Sequence, residues 1–324
     1  MTVCLKWPHK LLESSLVIFT CFIWVGCGED LDHLNGNSSE ECVQEPALPW
    51  CPPPGFPSLY IPEDNPMSLE KVELGRYLFY DTRLSGNGTY SCSSCHIQEY
   101  AFTDGLSNAE GATGEQHPRG SMSLANSGYF SVLGWSNPLL FQLEQQALIP
   151  MFGEFPVELG LAGMELELLQ RFSQDEAYQE MFQQSFPEEE EPITIENIVK
   201  AISAFERTLY SANSPYDQWL QEGVKCEDSH NMSDSACRGM ELFFSEETEC
   251  FHCHGGFTFS DSIQSGEQFF TEIGFHNTGL YNVDGEGGYP EDNQGLFEIT
   301  GIASDMGRFK APTLRNIELT APYM

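Results

Sequence analysis

Basic residues are scarce in this sequence: 14 Lys and Arg stand against 49 Asp and Glu in 324 residues, a net charge of −35. A chain so poor in cations has no footprint for a nucleic-acid backbone or an anionic membrane surface, and nucleic-acid binding is excluded. The acidity reads either as a solvated surface or as a docking face for a basic redox partner. Long apolar runs are missing as well. Leu16 to Gly26 is the conspicuous one, and it is too short to span a bilayer comfortably, which takes roughly 20 residues. Strand-like alternation of any length is also absent. What remains is a mostly α chain, long enough for two domains, with 40% hydrophobic and 12% aromatic content.

The first 27 residues read as a leader, with Lys6 and Lys10 before the apolar run. Val25-Gly26-Cys27 resembles a bacterial lipoprotein cleavage box, with Cys27 as the lipidated residue. An ordinary signal peptide cleaved nearby and an uncleaved anchor are the alternatives. Each places the rest of the chain outside the cytoplasm, in the periplasm or cell envelope. There the eleven cysteines can be apportioned. Cys4 and Cys21 leave with the leader, and Cys27 carries lipid. Cys92, Cys95, Cys250 and Cys253 belong to two CxxCH motifs. Two nearby pairs are left, Cys42 with Cys51 and Cys226 with Cys237, and both are expected as disulfides.

Residues 28–65 are acidic and Pro-rich, a tether and lead-in. Helices are expected from Ser68 as N-cap, with Leu69, Val72, Tyr77 and Leu78 on one face, from Asn137-Pro138 to Pro150, and over 166–184. After the acidic linker Glu188 to Glu191, the clearest helix is 195–210, with Thr194 as cap. A short one over about 235–245 precedes the second CxxCH.

CxxCH is a covalent haem-attachment signal. Two thiols a few residues apart reach the two vinyl groups of one haem, and the adjacent His turns its imidazole to the iron. Cys92-Ser-Ser-Cys95-His96 and Cys250-Phe-His-Cys253-His254 therefore predict two covalently bound haem c groups, with His96 and His254 as proximal ligands. A zinc knuckle would bring its CxxC pairs closer and would not require a His after each. A thioredoxin-type dithiol would need one CxxC in a βαβ context.

The surroundings of these motifs resemble a known family. Leu74-Gly-Arg-Tyr-Leu-Phe-Tyr-Asp-Thr-Arg83, Ala101-Phe-Thr-Asp104, Gln146-Ala147 with Pro150, Pro156-Val-Glu-Leu-Gly160, Ala204-Phe-Glu-Arg-Thr208, Ala311-Pro-Thr-Leu-Arg-Asn316 and Thr320-Ala-Pro-Tyr323 are similar to the bacterial di-haem cytochrome c peroxidase and MauG superfamily over about residues 60–324. His117-Pro-Arg-Gly-Ser-Met-Ser-Leu-Ala-Asn126, Met151-Phe-Gly-Glu154 and Phe275-His-Asn-Thr-Gly-Leu-Tyr281 look most like the MauG-like branch that includes MbnH. The resemblance implies two cytochrome c-type haem domains side by side, here 66–213 and 214–324. It makes the first haem the one that reacts with hydrogen peroxide, and the second the one that transfers electrons.

It also implies roles. Glu158 falls where the family has its distal acid/base, and an apolar pocket suits a carboxyl that must move a proton between two peroxide oxygens. Read from the residue alone, Glu158 is as readily a local cap or ion-pair partner. Gln146 and Pro150 would line the same pocket. Trp135 stands where the family has an aromatic relay between the haems; by itself it reads as a core tryptophan. His117 lies too near Arg119 for the distal ligand of the ordinary peroxidases and is given a structural or pocket-edge role, and His252 and His276 are structural. The family's interdomain calcium uses Thr and Pro carbonyls, matched by Thr320 and Pro322, and an Asn after an Arg. Here Gly120 follows Arg119, so waters would complete any calcium site. The sixth ligand of the second haem (Met in the peroxidases, Tyr in MauG) would lie beyond Met324, so the sequence reads as truncated. The expected activity is peroxide-driven oxidation of tryptophan on a partner protein. The rivals are a peroxidase fed by a small redox protein and a non-catalytic electron-transfer cytochrome.

Overall fold

Ser68 accepts a hydrogen bond from the Lys71 N–H and so begins helix α1 (Leu69–Tyr80). In the computed structural model, which describes residues 42, 48–266, 274–282 and 285–323, α1 lies against α6 (Ile195–Glu206). The two helices approach closely at Gly75, where a Cβ would lie 1.9 Å from the Ala201 carbonyl oxygen. The buried face of α1 is Lys71, Leu74, Gly75, Leu78 and Phe79, while Leu69 and Tyr77 are exposed. The expected face was therefore rotated, since contact with α6 decides it.

Helix α3 (Leu143–Phe152) also packs on α6, and α5 (Glu176–Ser185) on α1. The α3 helix starts later than Asn137. That residue's side chain accepts from the Leu139 N–H at 3.0 Å, and Leu133 donates to the Leu140 carbonyl at 2.8 Å, so the Asn-Pro pair makes a turn. It also runs past Pro150. The expected single helix over 166–184 is two, α4 (Glu165–Ser173) and α5, because the Asp175 side chain accepts from the Ala177 N–H and caps a new start. Helix α6 stops at Glu206, four residues early, where the chain turns so that Leu209 can accept from the Asn126 N–H at 2.7 Å.

The helix α2 (Cys92–Cys95) carries the first CxxC, and α7 (Pro215–Glu222), α8 (Asp234–Phe243) and α9 (Phe297–Thr300) follow. Among the described residues β structure is limited to isolated bridges. The fold is mostly α. No described helix is long and apolar enough to cross a membrane. The expected leader at 1–27 with Cys27, most of the expected tether before residue 48, and residue Met324 lie outside the described residues. Disulfides join Cys42 to Cys51 and Cys226 to Cys237.

Candidate active site and haem centres

At the first motif, α2 is begun by Ser91, whose N–H donates to Ser94 Oγ at 3.0 Å. His96 follows the helix. Its Nδ1 lies 2.8 Å from the Phe102 carbonyl oxygen. A carbonyl can only accept, so the proton sits on Nδ1 and Nε2 is left bare as a ligand. Reaching that carbonyl requires a tight return: Ala101 and Phe102 have φ of 52° and 63°, each costing about 1–2 kcal/mol for a side chain with a Cβ.

The second motif repeats the device. Cys250–His252 form a short 3-10 turn, and His254 Nδ1 lies 3.1 Å from the carbonyl of Phe259, whose φ is 53°. Phe102-Thr103-Asp104 and Phe259-Ser260-Asp261 therefore act alike, each offering a left-handed Phe carbonyl to its histidine. Sequence reasoning passed over these acceptors, although the shared Phe-Thr/Ser-Asp after both motifs was a usable signal.

Glu158 sits on a loop pinned from two sides. Its carbonyl accepts from the Ala112 N–H at 2.6 Å. A Cβ on Gly111 would stand 2.0 Å from the Val157 oxygen, so only glycine lets the segments approach so closely. Burial raises the Glu158 carboxyl above its ordinary range. The Cys95 thiol is pushed up to about 11, by burial first and then by the charges of Glu158 and Asp104, and its Sγ lies 3.9 Å from the carbonyl of Glu110, the residue before Gly111. Pro150 belongs to the same corner, for its carbonyl accepts from the Leu159 N–H at 2.8 Å. Lacking an N–H, Pro150 leaves the carbonyl of Gln146, four residues earlier on α3, without its helical donor. Both residues are half-buried. Thus Gln146, Pro150 and Glu158 lie on adjoining elements. Trp135 is half-buried in a stretch without regular structure, and its carbonyl accepts from the Lys310 N–H at 3.0 Å.

Residues 69–225 match the family model described as di-haem cytochrome c peroxidase. The chain is 32% identical to cytochrome-c peroxidase IdrP1 of Pseudomonas sp. (strain SCT), over 83% of this chain and 71% of that protein. The chain belongs to the di-haem cytochrome c peroxidase family. It is 30% identical to methylamine utilization protein MauG of Methylophilus methylotrophus, over 82% of this chain and 71% of that one. A solved structure, that of a MauG-like protein associated with microbial copper homeostasis, is 49% identical with a TM-score of 0.81, covering 86% of this chain and 78% of that one. The di-haem cytochrome c peroxidases are haem peroxidase-type oxidoreductases, and so is this member.

The residues present fit haem c. Cys92, Cys95, Cys250 and Cys253 are free thiols, and each pair is followed by a histidine with a bare Nε2. Beside the first pair, Glu206 is buried with an unpartnered Oε2. Burial pushes that carboxyl up to about 8, with Arg207 opposing and Glu144 adding to the rise. The Cys92 thiol, pushed up to about 12 by burial first, also feels the Glu206 charge. Glu206 was read only as part of a family motif, since its isolation depends on what surrounds α6.

The remaining candidates stand apart from this corner. His117 Nδ1 accepts from the Arg119 N–H at 3.1 Å. Arg119 donates from Nε to Asn293 Oδ1 at 2.7 Å and lies 4.6 Å from the Phe309 ring centre. His276 Nε2 is 2.5 Å from Asp261 Oδ2. His252 is exposed and 3.3 Å from Glu246. Of the residues named for calcium, Thr320 Oγ1 is 2.9 Å from the Tyr323 hydroxyl and Pro322 is exposed; Gly120 offers no side-chain oxygen.

Proposed function

We propose that this chain reduces hydrogen peroxide at the site of His96 and spends the resulting oxidising power on a tryptophan of a partner protein. A haem c held by Cys92, Cys95 and His96 would supply the redox chemistry for peroxide reduction there. His96, oriented by Phe102, presents Nε2. Glu158 takes a proton from the nearer peroxide oxygen and delivers it to the farther one, which leaves as water. Gln146 and Pro150 shape the pocket wall beside it. Trp135 relays single electrons toward the site, and His254 serves the second haem. Peroxide accepts two electrons and two protons and becomes two waters; the partner's tryptophan loses two electrons and two protons.

The observation that carries this reading is the half-buried Glu158, near Cys95 and with its carboxyl raised by burial. A pure electron carrier has no need of a proton-holding group there. The leaning toward protein oxidation rests on the 49% identity with a MauG-like structure. The second reading, a peroxidase drawing both electrons from a small redox protein, is favoured by the resemblance to the peroxidase IdrP1. We assign residues 66–213 to the peroxide-reacting domain and 214–324 to the electron-transfer domain. The setting we assign is the periplasm or cell envelope, with Cys27 as lipid anchor, and calcium near Thr320 and Pro322 is a subsidiary assignment.

Mass spectrometry of a co-expressed partner, with and without peroxide, tests the protein-oxidation reading. A mass change on a partner tryptophan that disappears in Glu158→Gln is expected. Peroxide turnover that needs a reduced cytochrome or copper protein and leaves partner tryptophans unmodified would establish the peroxidase instead. A ferric spectrum with both haems low-spin and inert to peroxide would refute both.

A further inference from the structure

Trp135 has no helix or strand to hold it. Its stretch is placed instead by segments far along the chain. On one side, Phe130 bridges to Ile263, the Gln264 N–H donates to the Tyr129 carbonyl at 2.7 Å, and the Ser131 N–H donates to the Ser262 carbonyl at 3.1 Å. These partners follow the last residue of the second haem motif, His254, by eight to ten residues. Nearby in the chain, the Leu133 N–H donates to the Leu140 carbonyl at 2.8 Å, and from far along it Lys310 makes three contacts. Its backbone N–H donates to the Trp135 carbonyl at 3.0 Å, its Nζ donates to the Val132 carbonyl at 2.6 Å, and its ammonium lies 4.6 Å from the centre of the Phe130 ring.

Lys310 is 3% exposed, and among the described residues no carboxylate pairs with it. Burial pushes its ammonium down to about 7. A methionine of similar length would fill this space without the desolvation cost of a buried amine. What lysine adds is directional: a donor that fixes Val132 three residues before the point where its own backbone fixes Trp135. The two bonds span the stretch and hold its backbone at both Val132 and Trp135.

We propose that Lys310 is a positioning residue for electron transfer between the two haems, locking the 130–135 stretch so that the Trp135 indole keeps one place in the path. The proposal rests on the relay reading of Trp135. In the step concerned, one electron passes from the ferrous haem of one site to the ferric haem of the other. Trp135 serves as the bridge the electron tunnels across without being oxidised itself, and no bond is made or broken.

The test uses the full protein with both haems attached, half-reduced and carrying carbon monoxide at the first site. Photolysis starts the electron moving between the haems, and its rate is read optically. Lys310→Met is expected to slow that rate by about tenfold, within what an ångström of misplacement costs a positioned group. Amide hydrogen exchange over 131–135 should quicken by a similar factor, with both haem midpoint potentials unchanged. Lys310→Gln, which keeps a buried N–H donor, should recover most of the rate, and it also serves if the Met variant does not fold.

A Lys310→Met rate within twofold of the parent, beside a slow Trp135→Phe, overturns the proposal and leaves the relay intact. A slowed rate accompanied by a shift in either haem potential also overturns it, because the driving force would then be the cause. An unchanged Trp135→Phe rate ends the relay reading, and this proposal with it.

Discussion

The two haem regions use one ligand device in unlike surroundings. Each has a CxxCH and a left-handed Phe carbonyl behind its histidine. Around the first, Leu74, Leu78, Phe79, Phe172, Phe182 and Ile202 are all within 1% of full burial and form a helical core into which Cys92 and Phe102 pack. Around the second, the buried apolar side chains after residue 213, among those described, are Cys237, Leu296 and Ala311, while Leu242, Phe244, Ile299 and Ile302 are exposed. That region is knit by polar bonds instead. Arg315 donates to both oxygens of Asp217 at 2.8 Å and to the Phe257 carbonyl at 2.6 Å. Ser260 Oγ donates to the Ala311 carbonyl at 2.7 Å. The two regions thus share a ligand device but not its surroundings: the half-buried carboxyl of Glu158 and the buried one of Glu206 accompany the first motif.

The largest contrast is expected from removing the attachment points. With so few buried apolar groups among its described residues, the second region is expected to depend on the apolar haem for its packing. Cys250→Ala with Cys253→Ala should abolish amide protection over 214–323 and leave α1 and α6 protected. Cys92→Ala with Cys95→Ala should leave α1 and α6 largely folded. Equal loss in both variants would erase the distinction.

Next comes Glu158→Gln, expected to lower kcat/KM for peroxide by about 10²–10⁴-fold, the usual scale of positioned acid–base catalysis, with both haems still attached by mass. Asp217→Asn comes third. It strands Arg315 in a buried position and should cost about 3–5 kcal/mol in urea unfolding, as broken buried ion pairs do. Burial works against the Asp217 charge, but its bonds from Arg315 and Ser214 prevail and hold the carboxyl below its usual range. With the folded pKa depressed, this stabilisation is fully present above the unfolded value of about 4. It is lost as pH falls through the lower folded value, a loss the Asn variant should not show. The smallest effect belongs to Ser68→Ala, which removes the cap of α1 and should cost about 1 kcal/mol.

Helix existence was largely legible, because capping and period are local: Ser68 and Thr194 begin their helices where expected. Boundaries failed where a local turn or a distant segment took the same groups, as Asn126 does in donating to Leu209 beyond the end of α6. Asn137 turns to serve Leu139 rather than cap α3, and the buried face of α1 was chosen by α6.

The sequence by itself determined the two attachment motifs, their histidines and the acidic surface, since those depend on residue type and spacing along the chain. It also marked Glu158, Gln146 and Trp135, but only through resemblance. Tertiary structure alone decided that Glu206 stands near Cys92 with an unpartnered Oε2, and that Lys310 reaches Val132 across 178 positions. Burial, and the carboxyl and ammonium charges it suppresses, comes from segments far apart in the chain packing together, and no local pattern records it.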